Sequence, residues 1–107
     1  MEAPMSINNP RPPRRTNDQV IEAFLRQQSA AAGALVSDGQ SLYSYNLRIA
    51  EYLPNDRGKA IIVYDYTSRG NAYQSQTTSS HVGAIKQRVP RSNVMLVEVA
   101  KAAGLIS

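Results

Sequence analysis

A chain of 107 residues has room for one domain with a thin hydrophobic core, and the absence of cysteine excludes disulfides and thiolate metal sites. The 12 Lys and Arg residues against 8 Asp and Glu give a formal charge of +4, which favours an anionic partner such as nucleic acid. No apolar run approaches the ~20 residues of a membrane-spanning helix and the N-terminus carries no apolar signal segment, so a cytoplasmic protein with no membrane partner is expected.

Residues 1–16, MEAPMSINNPRPPRRT, hold Pro4, Pro10, Pro12 and Pro13 with few apolar side chains. Proline fixes φ and disfavours helix in the residue before it, so this stretch reads as a disordered, extended arm. Its Arg11, Arg14 and Arg15 offer charged forks of donors that suit phosphate. A leader without a role is the competing reading of the same residues.

Residues 17–107 read as a single α+β domain. Thr16 or Asn17 is placed to cap a helix with Asp18 in its first turn, where the positive end of the helix dipole favours an acid. Val20, Phe24, Leu25 and the alanines after Gln28 recur at helical spacing to about residue 31, with Gly33 as the stop. Ala34 to Ser37 is a short strand that ends in Asp38-Gly39. That pair is a strong hairpin signal, because a type I′ turn needs positive φ at both central residues. Leu42 to Tyr45 returns, Asn46 marks a bend, and Arg48 to Leu53 forms a strand with Ile49 and Leu53 pointing to the core.

Pro54 to Gly58 is a second turn, Ala60 to Thr67 a strand, Ser68 to Asn71 a third turn, and Tyr73 to Gln76 a short edge strand. Thr77 or Thr78 caps a helix running to about Arg88, with Val82, Ile85 and Val89 on one face and Pro90 as the stop. Ser92 is placed to cap a last helix carrying Met95, Leu96, Val99, Ala100 and Ala103, with Gly104 in the left-handed position after it. Val94 to Val97 also fits a strand; the stop signals favour helix. Short strands joined by tight turns predict a small antiparallel β-meander of about four or five strands packed with two or three helices.

His81 is the lone histidine and the natural acid–base candidate. Ser79 and Ser80 beside it are explained by capping, and no orienting carboxylate accompanies it, so a structural role is favoured over catalysis. The acids are scattered and one histidine makes no metal-ligand spacing, so neither a cofactor nor a metal is expected. No glycine-rich phosphate loop precedes a helix. The chain therefore reads as non-enzymatic.

Charge placement is more informative. From Tyr66 to Val97 the chain carries Arg69, Lys86, Arg88 and Arg91 with no carboxylate among them. Together with the arm these are the phosphate-contact candidates. In a strand, alternate residues share a face, so Tyr43 pairs with Tyr45 and Tyr64 with Tyr66. Tyr64 and Tyr66 are the stacking candidates, since an aromatic ring contributes roughly 1–3 kcal/mol per base in single-strand binding. Against this, tyrosine suits a half-buried pleated surface, and Ile61, Ile62 and Val63 make both faces of that strand apolar.

The words SYNLRIAEY and YQSQTTSSHVGAIK together resemble a small uncharacterised domain of phage and plasmid reading frames, with pattern S-Y-x-T-x-I-A, a strand, then Y-S-x-T-T-S-x-H leading into a helix. The matching residues are Ser44, Tyr45, Ile49 and Ala50, then Tyr73, Ser75, Thr77, Thr78, Ser79 and His81. Leu47 stands where the pattern has Thr, and the second word is shifted by one residue at Gln74-Ser75. The resemblance covers Leu42 to Lys86; it implies a mobile-element origin, hence a host-cell cytoplasm, and no activity.

The function expected is that of a small accessory protein, phage-borne if the resemblance holds, binding DNA or RNA through basic and aromatic surface. The alternative is a protein-interaction module: an inhibitor of a host factor or a small virion component, or a homo-oligomer built through the strand Tyr73–Gln76 and the terminal helices.

Overall fold

The computed structural model describes residues 16–55, 58–67 and 74–106. Helix α1 (Asn17–Leu25) starts from a capping box: the Gln19 backbone N–H donates to Thr16 Oγ1 at 3.2 Å, and the Thr16 N–H donates to Gln19 Oε1 at 2.8 Å. The helix ends earlier than the alanine spacing predicts. Gln27 takes a left-handed φ of 58°. Its N–H reaches Phe24 O at 2.9 Å and that of Gln28 reaches Ala23 O at 2.8 Å, which closes the last turn with a Schellman pair. The alanines therefore leave the helix and form β1 (Ser29–Ala32).

Strands β2 (Leu35–Asp38), β3 (Ser41–Ser44), β4 (Leu47–Asn55) and β5 (Gly58–Asp65) follow as an antiparallel meander. The Asp38-Gly39 hairpin forms, but by another geometry than a type I′ turn. Positive φ falls on Gly39 (90°) and not on Asp38, whose Oδ1 instead accepts from the N–H groups of Gln40 at 2.8 Å and Ser41 at 2.7 Å. Positive φ at both central residues occurs one hairpin later, at Tyr45 (52°) and Asn46 (69°), between the paired residues Ser44 and Leu47.

Two further expectations are corrected. Gln74 and Ser75 are not in a strand and Gln76 opens α2 (Gln76–Lys86), so the edge strand Tyr73–Gln76 is absent over its described part; Tyr73 lies outside the described residues. The cap of α2 is Ser75, whose Oγ accepts from the Thr78 N–H at 3.1 Å, rather than Thr77 or Thr78. Val94–Leu96 is a strand, β6, following a 3₁₀ turn at Arg91–Asn93, and only Val97–Ala102 is helical (α3). Strand β6 pairs with β5 in parallel, which needs a crossover, and α2 lies within it. The result is α+β with a mixed sheet of order β1-β2-β3-β4-β5-β6, six strands against the four or five of the expected antiparallel meander, and with one parallel seam. Gly104 does take the left-handed position after the last helix, at φ 77°.

The core follows from the pleat. Leu35, Ser37, Leu42, Ser44, Ala50, Tyr52 and Val63 are buried and stand on one face, linked by the pairs Leu35–Ser44, Ser37–Leu42, Leu42–Ala50 and Ala50–Val63. Helix α1 packs there over β1 and β2, and α2 over β5. Val20, Ile21 and Phe24 of α1 and Val82 and Ile85 of α2 are wholly buried. The Phe24 and Tyr52 rings meet at 5.1 Å, and Tyr52 OH donates to Leu25 O at 3.1 Å. Among the described residues the other face is closed over β4–β6, where α3 packs on β5 and β6 and the Gly104–Ile106 tail stands beside Leu47, Arg48 and Tyr66. Tyr64 is wholly enclosed on that side. β5 is thus covered on both faces at Val63 and Tyr64, as its apolar run implies.

Candidate nucleic-acid interface

Of the basic residues singled out by the sequence, Arg11, Arg14, Arg15 and Arg69 lie outside the described residues. The other three cluster where α2 ends. Helix geometry brings Lys86 onto the last turn of α2, and Pro90, extended at φ −60° and ψ 148°, turns the chain so that Arg91 opens the 3₁₀ turn beside it. Lys86 and Arg91 line one open cleft with Asp65, Gly83, Gln87 and Val94.

Their charges are not equally available. Lys86 Nζ lies 3.2 Å from Asp65 Oδ2 and 3.4 Å from Thr67 Oγ1. Burial is the largest influence on the Asp65 carboxyl and pushes its pKa up, but hydrogen bonds from Thr67 and Lys86 outweigh it and hold the group below the usual carboxylate range. Arg88 reaches back to α1, its guanidinium 2.6 Å from Glu22 Oε2, and Glu22 also meets Arg26 at 3.5 Å. Arg91 is exposed and forms no ion pair with any described residue. Arg91 therefore presents the least compensated positive charge of the three.

The stacking candidates are placed differently from expectation. Tyr64 is 0% exposed and Tyr66 5%, so neither ring offers a face to a base. Tyr66 has left the strand: its N–H turns back onto Tyr64 O at 2.9 Å. The Tyr64 hydroxyl donates to Glu51 Oε2 at 2.5 Å. Burial first, and then this bond to a carboxylate, raise its pKa well above that of an ordinary phenol. Glu51 in turn faces Arg48 at 3.7 Å, and the Arg48 guanidinium sits 5.7 Å from the centre of the Tyr43 ring. Glu51 is a buried acid that sequence reasoning missed; the run Ile49-Ala50-Glu51-Tyr52 carries no mark of it, because the partner that makes burial tolerable, Tyr64, comes from the neighbouring strand.

His81 is buried, with its Nδ1 2.7 Å from Ser44 Oγ; Ser44 Oγ is also 3.1 Å from Thr78 Oγ1. The two words of the phage-domain resemblance thus meet inside the molecule, Ser44 from the first against Thr78 and His81 from the second. A Ser–His contact is the beginning of a nucleophile–base pair. Here the serine is wholly enclosed, and none of the described clefts is lined by Ser44 or His81. Burial also lowers the imidazole pKa, which keeps the ring neutral near pH 7. The arrangement ties β3 to α2. Among the described residues no group of three or more His, Cys, Asp or Glu is placed to hold a metal, and no helix is long and apolar enough to cross a membrane.

Comparison with protein-family models, with curated proteins and with solved structures returned no match.

Proposed function

We propose that this is a small non-enzymatic accessory protein, of the mobile-element kind its sequence words resemble, that binds nucleic acid through basic surface at the end of α2. The observation that carries the reading is the exposed Arg91 sharing a cleft with Lys86. Lys86 is paired with Asp65 in this cleft, so Arg91 supplies its excess positive charge, which attracts an approaching phosphate. The neighbouring Gly83 adds no side-chain bulk, and Gln87 supplies a neutral donor. Arg88 stands on the next exposed position, steadied by Glu22.

Binding of this kind releases counterions, so affinity falls with salt, with a log–log slope of about −0.7 to −0.9 per phosphate contacted. Fluorescence anisotropy with labelled single-stranded DNA, duplex DNA and RNA over a salt series tests it. Arg91→Ala is expected to weaken binding to every sequence alike and to reduce the slope by about one contact. Salt-independent binding, or none at low salt, overturns the reading.

A second reading rests on a different surface. Leu96 and Val99 are 48% and 49% exposed beside the half-buried Ile61, Ile62, Val94 and Met95, in a groove along the β6 edge of the sheet. An apolar patch at a sheet edge suits a protein interface. Sedimentation equilibrium over a range of concentrations tests for self-association, which Leu96→Glu is expected to abolish.

A further inference from the structure

No described element packs on the side of β1–β3 turned away from α1. Across it the ladder sets Ala31 beside Val36, Val36 beside Tyr43, and Tyr43 beside Arg48, one row over four strands. Ala31, Val36 and Arg48 are exposed and Tyr43 is half-buried, whereas Leu35, Ser37, Leu42 and Ser44, which alternate with them, are enclosed. The same strands are therefore dry on one face and open on the other. In the turn that joins β3 to β4, two residues past Tyr43 of this row, stands Tyr45, 61% exposed.

Tyr45 is an unexpected residue for its place. It occupies the first central position of a turn at φ 52°, followed by Asn46 at 69°. Such turns take Gly, Asn or Asp, because a Cβ at positive φ crowds the backbone. Asn46 obeys that preference and Tyr45 does not. Nor does packing call for the ring, since most of it faces solvent. The backbone under it is held: its N–H donates to Ala34 O at 3.0 Å, in the turn between β1 and β2. A large aromatic thus stands on a fixed base, at a cost in backbone strain, with no fold-level return. Arg48, on the strand that leaves this turn, is anchored by Glu51 at 3.7 Å and lies over the Tyr43 ring, which leaves its side chain part-exposed and oriented.

We propose that this face binds single-stranded nucleic acid, with the Tyr45 ring stacking on an unpaired base and Arg48, positioned by Tyr43 and Glu51, meeting the neighbouring phosphate. The chemistry selects the partner. A base offers a π-face whatever its identity, stacking on an exposed ring is sequence-tolerant, and the strand's charge complements both Arg48 and the net +4 of the chain. A duplex hides its base faces and gains nothing from the ring. The inference rests on the nucleic-acid reading above but uses residues other than Lys86 and Arg91. The start of β4 and the end of β5 lie at the same end of the sheet, with the row on one face and α2, which carries Lys86, on the other.

The test uses the full chain and a fluorescein-labelled oligothymidine of about 12 nucleotides, within the span such surfaces cover, alongside a duplex of the same length. Tyr45→Gly is expected to weaken oligothymidine binding about five- to 150-fold and to leave duplex binding unchanged, while Tyr45→Phe keeps wild-type affinity. Glycine suits the positive φ, so the variant melts at or above the wild-type temperature by circular dichroism; if it fails to fold, Tyr45→Asn replaces it, since Asn also accepts this conformation. Oligothymidine affinity unchanged in Tyr45→Gly, with salt-dependent binding retained, overturns the stacking role and leaves the nucleic-acid reading standing. Absence of binding to both probes at low salt overturns both together.

Discussion

Ser44 Oγ lies 2.7 Å from His81 Nδ1, joining the end of β3 to the first half of α2 inside the core. Both groups are shielded from water, so each is the other's principal means of satisfying a polar atom. Thr78 is the third member, 3.1 Å from the same hydroxyl.

Removing the shared hydroxyl therefore strands two partners at once. Ser44→Ala is expected to cost about 1–3 kcal/mol, the penalty for leaving a buried polar group without its bond. Urea unfolding followed by circular dichroism reads it as a lower midpoint with an unchanged slope. Ser80→Ala, exposed on the same helix, is expected to move stability by under about 0.5 kcal/mol.

The same cluster sets a pH dependence. Burial lowers the His81 pKa below its model-peptide value of 6.5, so the unfolded chain takes up the proton first as pH falls. Stability is complete above about pH 6.5 and declines as pH drops from there toward the folded-state pKa. Asp38, held low mainly by the Ser41 N–H, and Asp65 act in a separate, more acidic window, below the ordinary carboxylate value of 3.8. Denaturant titrations at intervals between pH 7 and 5 are expected to show the decline in wild type and a flatter profile in His81→Gln.

Tyr64 and Glu51 give an alkaline counterpart. The phenol is harder to ionise in the folded protein than in the unfolded chain, by burial and then by its bond to Glu51. The unfolded chain therefore loses the proton first, and stability falls as pH rises above about 10. In an absorbance titration at fixed temperature this tyrosine is expected to ionise at higher pH than an ordinary phenol. Tyr64→Phe keeps the packing but deprives a buried carboxylate of a donor, and is expected to cost about 1.5–3 kcal/mol.

Two glycines are expected to respond to alanine with opposite signs. Gly39 has φ 90°, and a Cβ there meets Gln27 O at 3.0 Å, so Gly39→Ala combines strain with a clash against backbone. A loss of about 1–3 kcal/mol is expected. Gly83 sits inside α2, and a Cβ there meets nothing within 4 Å. Gly83→Ala is expected to gain about 0.5–1 kcal/mol from helix propensity. Thermal melts of the two variants side by side decide the signs.

Much of the fold was legible because local chemistry and tertiary structure agree. Thr16 with Gln19, Asp38 before Gly39, Val82 with Ile85 and Gly104 all act as their residue types suggest. The misses have physical reasons. Gln27 ends α1 in a conformation that glutamine does not advertise, so the alanines after it kept a helical reading. Val94–Leu96 is too short for periodicity to separate strand from helix, and the deciding fact is the distant ladder of β5. Alternation makes Tyr64 and Tyr66 candidates for an exposed pair while the run Ile61-Ile62-Val63 signals cover on both sides, and both rings are buried. The exposed tyrosine is Tyr45, at a position whose backbone only the three-dimensional turn reveals.

The parallel seam between β5 and β6 divides the sheet into a part built from local pairings and a part that depends on a distant one. The strands from β1 to β5 pair with their immediate neighbours through short connections, so each hairpin closes cheaply and in any order. β6 has no such shortcut: Val94 meets Val63 only after the whole segment containing α2 has been brought round. Val97 and Ala100, which ride on β6, reach the core with it, and with them the lid over Tyr64. The meander is therefore expected to form before the C-terminal segment docks, which pulse-labelled hydrogen exchange would read as protection of β2–β4 ahead of β6.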